Sequence, residues 1–258
     1  MQHRERRGAR AARRDEEGLL TRAPRYRVGT SGYNYPEWKG SFYPEKWPQK
    51  KMLAYYAERL DTVEINYTFY RLPTERLLAG WSEATPPDFR FTLKAPRRIT
   101  HEARLTDCAA VTRAFCDAAS TLGEKLGALL FQLPPSFRKN VDVLARFLET
   151  LPPGLRVAFE FRHATWHDPA TIDLLVEHGA ALCVADSERM RTPLHVTARH
   201  GYFRLRDQGY DDAALAGWAE TIAGSAAGCE DVYVYFKHEE RGTGPAFARR
   251  LLDCLAPG

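Results

Sequence analysis

The chain has 258 residues, a hydrophobic fraction of 44% and a formal net charge of +4, a size that suits one large α/β domain or two small ones. No apolar run approaches the ~20 residues that span a bilayer, and the Arg-rich N-terminus offers no signal-peptide core. The five cysteines are scattered without a CxxC pair, which excludes a disulfide framework or a zinc knuckle and predicts a soluble, cytoplasmic protein.

Residues 1–25 hold eight Arg against Glu5, Asp15, Glu16 and Glu17, so the whole excess of positive charge sits in this tail. It is expected to be a disordered, solvated extension, with a nucleic-acid-binding arm as the other reading. The neutral body gives no support to non-specific nucleic-acid binding. A single domain is expected over residues 26–258.

From Tyr26 onward, strand and helix patterns alternate. The first strand, Tyr26 to Gly29, ends in Thr30 and Ser31. An aromatic loop follows, in which Tyr33, Tyr35, Trp38, Phe42, Tyr43 and Trp47 are punctuated by Gly and Pro. Trp38, Phe42 and Tyr43 are expected to plug one end of the fold, and Tyr33 or Tyr35 to meet a ligand. A helix over residues 50–60 leads to the strand Thr62 to Ile65, which ends in Asn66 and places Glu64 and Asn66 on one face. After a helix over 75–84 the third strand, Phe89 to Leu93, ends in Lys94. After a helix over 107–122 the fourth, Leu129 to Phe131, ends in Gln132. Next come a helix over 141–151 and the strand Val157 to Phe159, which ends in Glu160, Phe161, Arg162 and His163. A helix over 169–178 precedes the strand Ala181 to Ala185, ending in Asp186. Residues 187–200 carry no convincing helix, so an irregular excursion is expected there. The seventh strand runs from Tyr202 into Arg204 and Arg206, and the eighth, Val232 to Phe236, ends in Lys237 and His238. Helices over 213–223 and 245–255 complete the pattern, and Thr106, Asn140, Asp168 and Asp211 stand where helix N-caps belong.

Eight apolar strands separated by helices predict a closed, parallel (β/α)8 barrel of the TIM type. An open doubly wound sheet is disfavoured because the first strand lacks a glycine-rich phosphate fingerprint. Strand ends in such a barrel share one rim. The rim candidates are Glu64, Glu160 and Asp186 for acid–base work or metal ligation, since a buried carboxylate needs a partner. Lys94, Arg162, Arg204, Arg206 and Lys237 form a cationic set suited to phosphate or carboxylate. Tyr33, Asn66 and Gln132 join it as ligand-binding groups. His101, His163 and His238 follow three strands, and with the carboxylates they make a residue mixture compatible with a divalent metal, with His163 the candidate ligand. No HxH, HExxH or HxxE spacing accompanies them.

In order along the chain, Val28-Gly29-Thr30-Ser31-Gly32-Tyr33, Trp38-Lys39-Gly40-Ser41-Phe42-Tyr43-Pro44, Val63-Glu64-Ile65-Asn66-Tyr67-Thr68-Phe69-Tyr70, Phe91-Thr92-Leu93-Lys94, Gln132-Leu133-Pro134-Pro135 and Glu160-Phe161-Arg162-His163 resemble the YecE-like family, domain of unknown function 72. The resemblance covers about residues 26–255. It implies a TIM-type barrel and carries no established reaction. Likeness of that barrel to metal-dependent apurinic endonucleases and sugar isomerases is analogy at the level of fold. The chain departs from the family pattern at Arg204-Leu205-Arg206-Asp207, where Arg-Leu-His-Gly is usual, and at Lys237-His238, where Asn-Asn is common.

Three functions are expected to compete. The first is a metal-assisted enzyme acting on a phosphorylated or otherwise anionic substrate, such as a nucleic-acid phosphodiester. The second is a metal-free sugar enzyme that uses Glu64 and Glu160 as a carboxylate pair. The third is a non-catalytic binder of an anion or a nucleic-acid end.

Overall fold

The computed structural model describes residues 23–187, 190–207 and 209–256; most of the basic tail lies outside them. Eight strands close into a barrel in sequence order, every neighbouring pair parallel. They are β1 (Arg25–Ser31), β2 (Thr62–Ile65), β3 (Arg90–Lys94), β4 (Leu126–Gln132), β5 (Val157–Glu160), β6 (Ala181–Asp186), β7 (His200–Leu205) and β8 (Asp231–Phe236). The helices around them are α1 (Met52–Ala57), the single turn α2 (Tyr67–Tyr70), α3 (Glu75–Glu83), α4 (Ala109–Ser120), α5 (Val141–Glu149), α6 (Pro169–Glu177), α7 (Asp212–Ser225) and α8 (Thr243–Leu255). This is the (β/α)8 architecture expected from the strand–helix alternation, and both faces of the sheet are covered.

Side-chain alternation along the strands divides the core in two. Outward residues such as Val28, Val63, Leu93, Phe131 and Phe236 pack against the helices in one large cluster. A smaller inner cluster of Leu130, Ala158, Cys183, Tyr202, Tyr233 and Tyr235 fills the barrel. Tyr235 crosses the interior, its hydroxyl 2.7 Å from Thr62 Oγ1 and 2.7 Å from Thr92 Oγ1. At the N-terminal pole, buried Asp231 draws in Arg27 at 3.1 Å, Arg25 at 3.3 Å and Arg156 at 3.3 Å. Arg27 also reaches Asp61 at 2.9 Å. That end is closed by ion pairs in which three guanidiniums share two carboxylates.

The β1–β2 seam, like β5–β6, is short. Only Thr30–Val63 and Ser31–Glu64 are in register there. Tyr56 of α1 reaches into the gap, where its hydroxyl accepts from the Thr30 amide at 2.9 Å and donates to the Thr62 carbonyl at 2.9 Å. Gly29 permits this, because an added Cβ would lie 2.1 Å from the Thr62 carbonyl oxygen.

Local expectations fare unevenly. Asn140, Asp168 and Asp211 cap α5, α6 and α7 by accepting from the amide three residues on. Thr106 does not cap α4. Positive φ at Arg104, Leu105 and Asp107 winds the chain past it, and the helix starts after Cys108 with no side-chain cap. The helix expected over 50–60 is shorter, with a 3-10 turn at Gln49–Lys51 ahead of α1. Trp38, Phe42 and Tyr43 do not plug the barrel. They pack on one another in the outer layer, and Trp38 Nε1 donates to the Glu239 carbonyl at 2.9 Å, beside the start of α8. Between β6 and β7, residues 190–199 run without a helix. They are anchored by Thr197 Oγ1, which donates to the Ala180 carbonyl at 2.6 Å and accepts from the Leu182 amide at 2.8 Å.

Candidate functional site

The inward positions at the C-terminal ends of the strands converge on Arg204. Period-two alternation aims Ser31, Glu64, Lys94, Gln132, Glu160 and Arg204 toward the barrel axis. Arg204, 1% exposed, forks between the two buried carboxylates: Nη2 donates to Glu64 Oε1 at 2.7 Å and Nη1 donates to Glu160 Oε2. Each carboxylate has further donors. Glu64 accepts from Tyr202 at 2.6 Å and from Ser31. Glu160 accepts from Gln132 Nε2 at 2.7 Å, Arg162 Nε at 2.9 Å and Arg206 Nη1 at 3.2 Å.

Burial alone would raise both carboxyl pKa values. The Arg204 guanidinium reverses this, aided by Ser31 and Tyr202 at Glu64 and by Arg162 and Arg206 at Glu160, so both lie below the ordinary carboxylate range. The two groups are therefore ionised and their lone pairs are engaged. Arg204, expected to fork onto an external anion, forks onto these carboxylates because burial leaves two negative charges that need a partner.

Around this triad lies a cavity of about 380 Å³ lined by Phe69, Tyr70, Lys94, Arg97, His101, Gln132, Arg162, Arg204 and Lys237. Its lining holds five cationic side chains and no carboxylate. The Lys94 ammonium lies 4.1 Å from the centre of the Phe69 ring, and among the described residues it has no ion-pair partner. Burial, then repulsion from Arg204, pushes its pKa down to about 7. Lys237 is lowered by the same two causes, and its nearest carboxylate, Glu239, is 4.0 Å away. His101, half-buried, is lowered to about 4 by desolvation and then by the Lys94 charge, and is neutral at pH 7. Arg204 Nε is buried without a hydrogen-bond partner among the described residues.

Two expected site residues are not brought to this cluster. Asp186 shares the outward parity of Leu182 and Val184, and its Oδ2 accepts from Tyr210 at 2.8 Å. His163 likewise follows the outward Phe161; its Nδ1 accepts from the Thr165 amide at 3.2 Å and caps a 3-10 turn. His238, one residue beyond the inward Lys237, approaches the Asp207 carbonyl at 2.6 Å. Tyr33 lines a neighbouring cavity together with Asn66, whose Nδ2 donates to Ser31 Oγ at 2.8 Å.

The fit to a divalent metal is poor. Among the described residues no group of three or more His, Cys, Asp or Glu is placed to hold one. The carboxylate oxygens that would ligate it are occupied by Arg204 and the other donors, in a strongly cationic setting. Ser31, Tyr202, Phe69 and Arg97 belong to the site or its wall although the sequence pattern did not single them out, and His101, named there among the three loop histidines, lines the cavity. Parity would have found Ser31 and Tyr202, two residues before Tyr33 and Arg204.

The profile of the family described as "Protein of unknown function DUF72" matches residues 27–257. The chain belongs to the DUF72 family. UPF0759 protein YecE of Escherichia coli K12 is 32% identical over 154 residues, which span 57% of this chain and 55% of that protein. The match thus covers little more than half the length of that relative. UPF0759 protein YunF of Bacillus subtilis 168 is 23% identical over 269 residues, covering 88% of this chain and 94% of the relative. Among solved structures, a DUF72 protein of Thermotoga maritima MSB8 superposes with a TM-score of 0.77 at 27% identity, over 89% of this chain and 99% of that one. A DUF72 protein of Enterococcus faecalis V583 shares the fold at 20% identity, with a TM-score of 0.75 over 90% and 96% of the two chains. These relatives support the barrel and the family, and none of their descriptions supplies a reaction. No described helix is long and apolar enough to cross a membrane.

Proposed function

We propose that this DUF72 barrel binds a phosphate ester or a related anion at its C-terminal face, and that Lys94 exchanges a proton with it. The observation that carries the reading is the cavity wall, which holds five cationic side chains and no carboxylate while both carboxylates behind it are saturated. An anion supplies the missing negative charge. The unpartnered Nε of Arg204 adds a buried donor to the same set, and a buried donor left unpaired costs ~1–3 kcal/mol. Lys94, its pKa lowered to about 7 when the site is empty, is able to give or take a proton at pH 7. Glu64 and Glu160 hold Arg204 in place and do no acid–base chemistry. A sugar hydrolase with this pair would need one carboxyl protonated, and the guanidinium between them keeps both ionised.

The test is calorimetric titration with sulfate, which does not itself titrate, between pH 6 and pH 9. An incoming anion raises the Lys94 pKa, so binding takes up a proton above about pH 7 and affinity falls as pH rises. Wild type should show this fall, and Lys94→Met should bind more weakly with the pH dependence gone. No binding by wild type, or identical curves for the two proteins, would overturn the reading.

A further inference from the structure

A second cavity adjoins the first. It measures about 320 Å³, and its wall includes Tyr33, Tyr67, Leu77 and Trp81, with the amides of Asn34 and Asn66 at its edge. The single turn α2 divides the two spaces, with Tyr67 on one side and Phe69 and Tyr70 on the other. Their connection is short. Asn66 Nδ2 donates to Ser31 Oγ at 2.8 Å, and Arg204 Nη2 donates to the same oxygen at 3.2 Å. Tyr67, 47% exposed, and Tyr70, 72% exposed, leave large rings in solvent where the cavities meet. Aromatic rings beside a cavity mouth are available to stack on a planar ligand.

We infer that the ligand joins a planar ring to its anionic group, and that the ring enters the cavity lined by Tyr33, Tyr67, Leu77 and Trp81 while the anion meets Lys94 and Arg162. This rests on the anion-site reading and adds the class of molecule, an aromatic phosphate ester, a chemistry shared by aryl phosphates and mononucleotides. The volume suits one ring system, Tyr67 and Tyr33 offer faces for stacking, and Asn34 and Asn66 offer both donors and acceptors to polar ring edges.

Three probes separate the contributions: methyl phosphate, phenyl phosphate and 2-phenylethyl phosphate, each titrated into wild type, Tyr67→Ala, Tyr67→Phe and Leu77→Trp. Methyl phosphate reports the anion site alone. The better of the two aromatic esters should bind wild type about tenfold more tightly than methyl phosphate. Tyr67→Ala, at an exposed position, and the cavity-filling Leu77→Trp should cut that advantage to less than threefold and leave methyl phosphate unchanged. Tyr67→Phe should restore it. Adenosine and uridine monophosphates then distinguish a nucleotide from a simple aryl ester by whether they exceed the phenyl esters. Equal binding of all three esters by wild type, or an advantage that survives both Tyr67→Ala and Leu77→Trp, would overturn the ring subsite and leave the anion site standing. Failure of methyl phosphate together with the aromatic esters would overturn the anion site itself.

Discussion

Arg204 shows how a buried charge changes the meaning of its neighbours. Taken singly, Glu64 and Glu160 are two carboxylates at the mouth of a barrel, the usual material of acid–base catalysis. Joined by one guanidinium, they become an anchored ion triad, and in the proposed reading the proton exchange falls to Lys94, which has no ion-pair partner among the described residues. Glu160→Gln tests the triad. With the Glu160 charge gone, Arg204 keeps only Glu64 while Arg162 and Arg206 lose their carboxylate, and stability near pH 7 should drop by ~3–5 kcal/mol in urea denaturation. The acid limb should change as well. The Glu160 pKa in the folded protein lies below its unfolded value of 4.5. Its stabilisation is thus complete above that value and is lost as pH falls through it toward the folded value. The variant should show a flatter loss of stability below pH 4.5 than wild type.

Elements were legible where their signals are local. The helix stripes, the caps at Asn140, Asp168 and Asp211, and the helix-free run of residues 190–199 between β6 and β7 all follow from short-range patterns. Thr106 misled because three residues of positive φ, Arg104, Leu105 and Asp107, displace the start of α4, and no spacing rule announces them. The contrast is measurable. Asp168→Ala should cost ~1 kcal/mol of thermal or urea stability by losing its bond to the Thr171 amide, as N-cap truncations do. Thr106→Ala should stay within ~0.5 kcal/mol. Parity is the other lesson at this scale. Every strand ends in polar residues, yet only alternate ones face the axis, so Lys94, Gln132, Glu160 and Arg204 converge while Asp186 and His163 turn outward. Reading the polar strand ends without their phase overstates the site.

Across the whole molecule, the two poles differ in how their cations are paired. At the N-terminal pole Arg25, Arg27 and Arg156 all sit on Asp231 or Asp61, whereas the C-terminal pole presents Lys94 with no ion-pair partner among the described residues. Only the overall architecture could be read in advance; how each pole pairs its charges depends on residues more than 200 positions apart, such as Arg27 with Asp231. Asp231→Ala should destabilise the protein by ~3–5 kcal/mol in urea while leaving its sulfate affinity unchanged, because it sits at the pole remote from the anion site. Tyr56 has a consequence of another kind. The seam between β1 and β2 has two registered pairs supplemented by a phenol from a helix, while β1 and β8 share six registered pairs. New chain ends introduced at that joint, after β1, would forfeit less main-chain pairing than a cut beside β8, making it the natural place to reopen the cylinder for circular permutation.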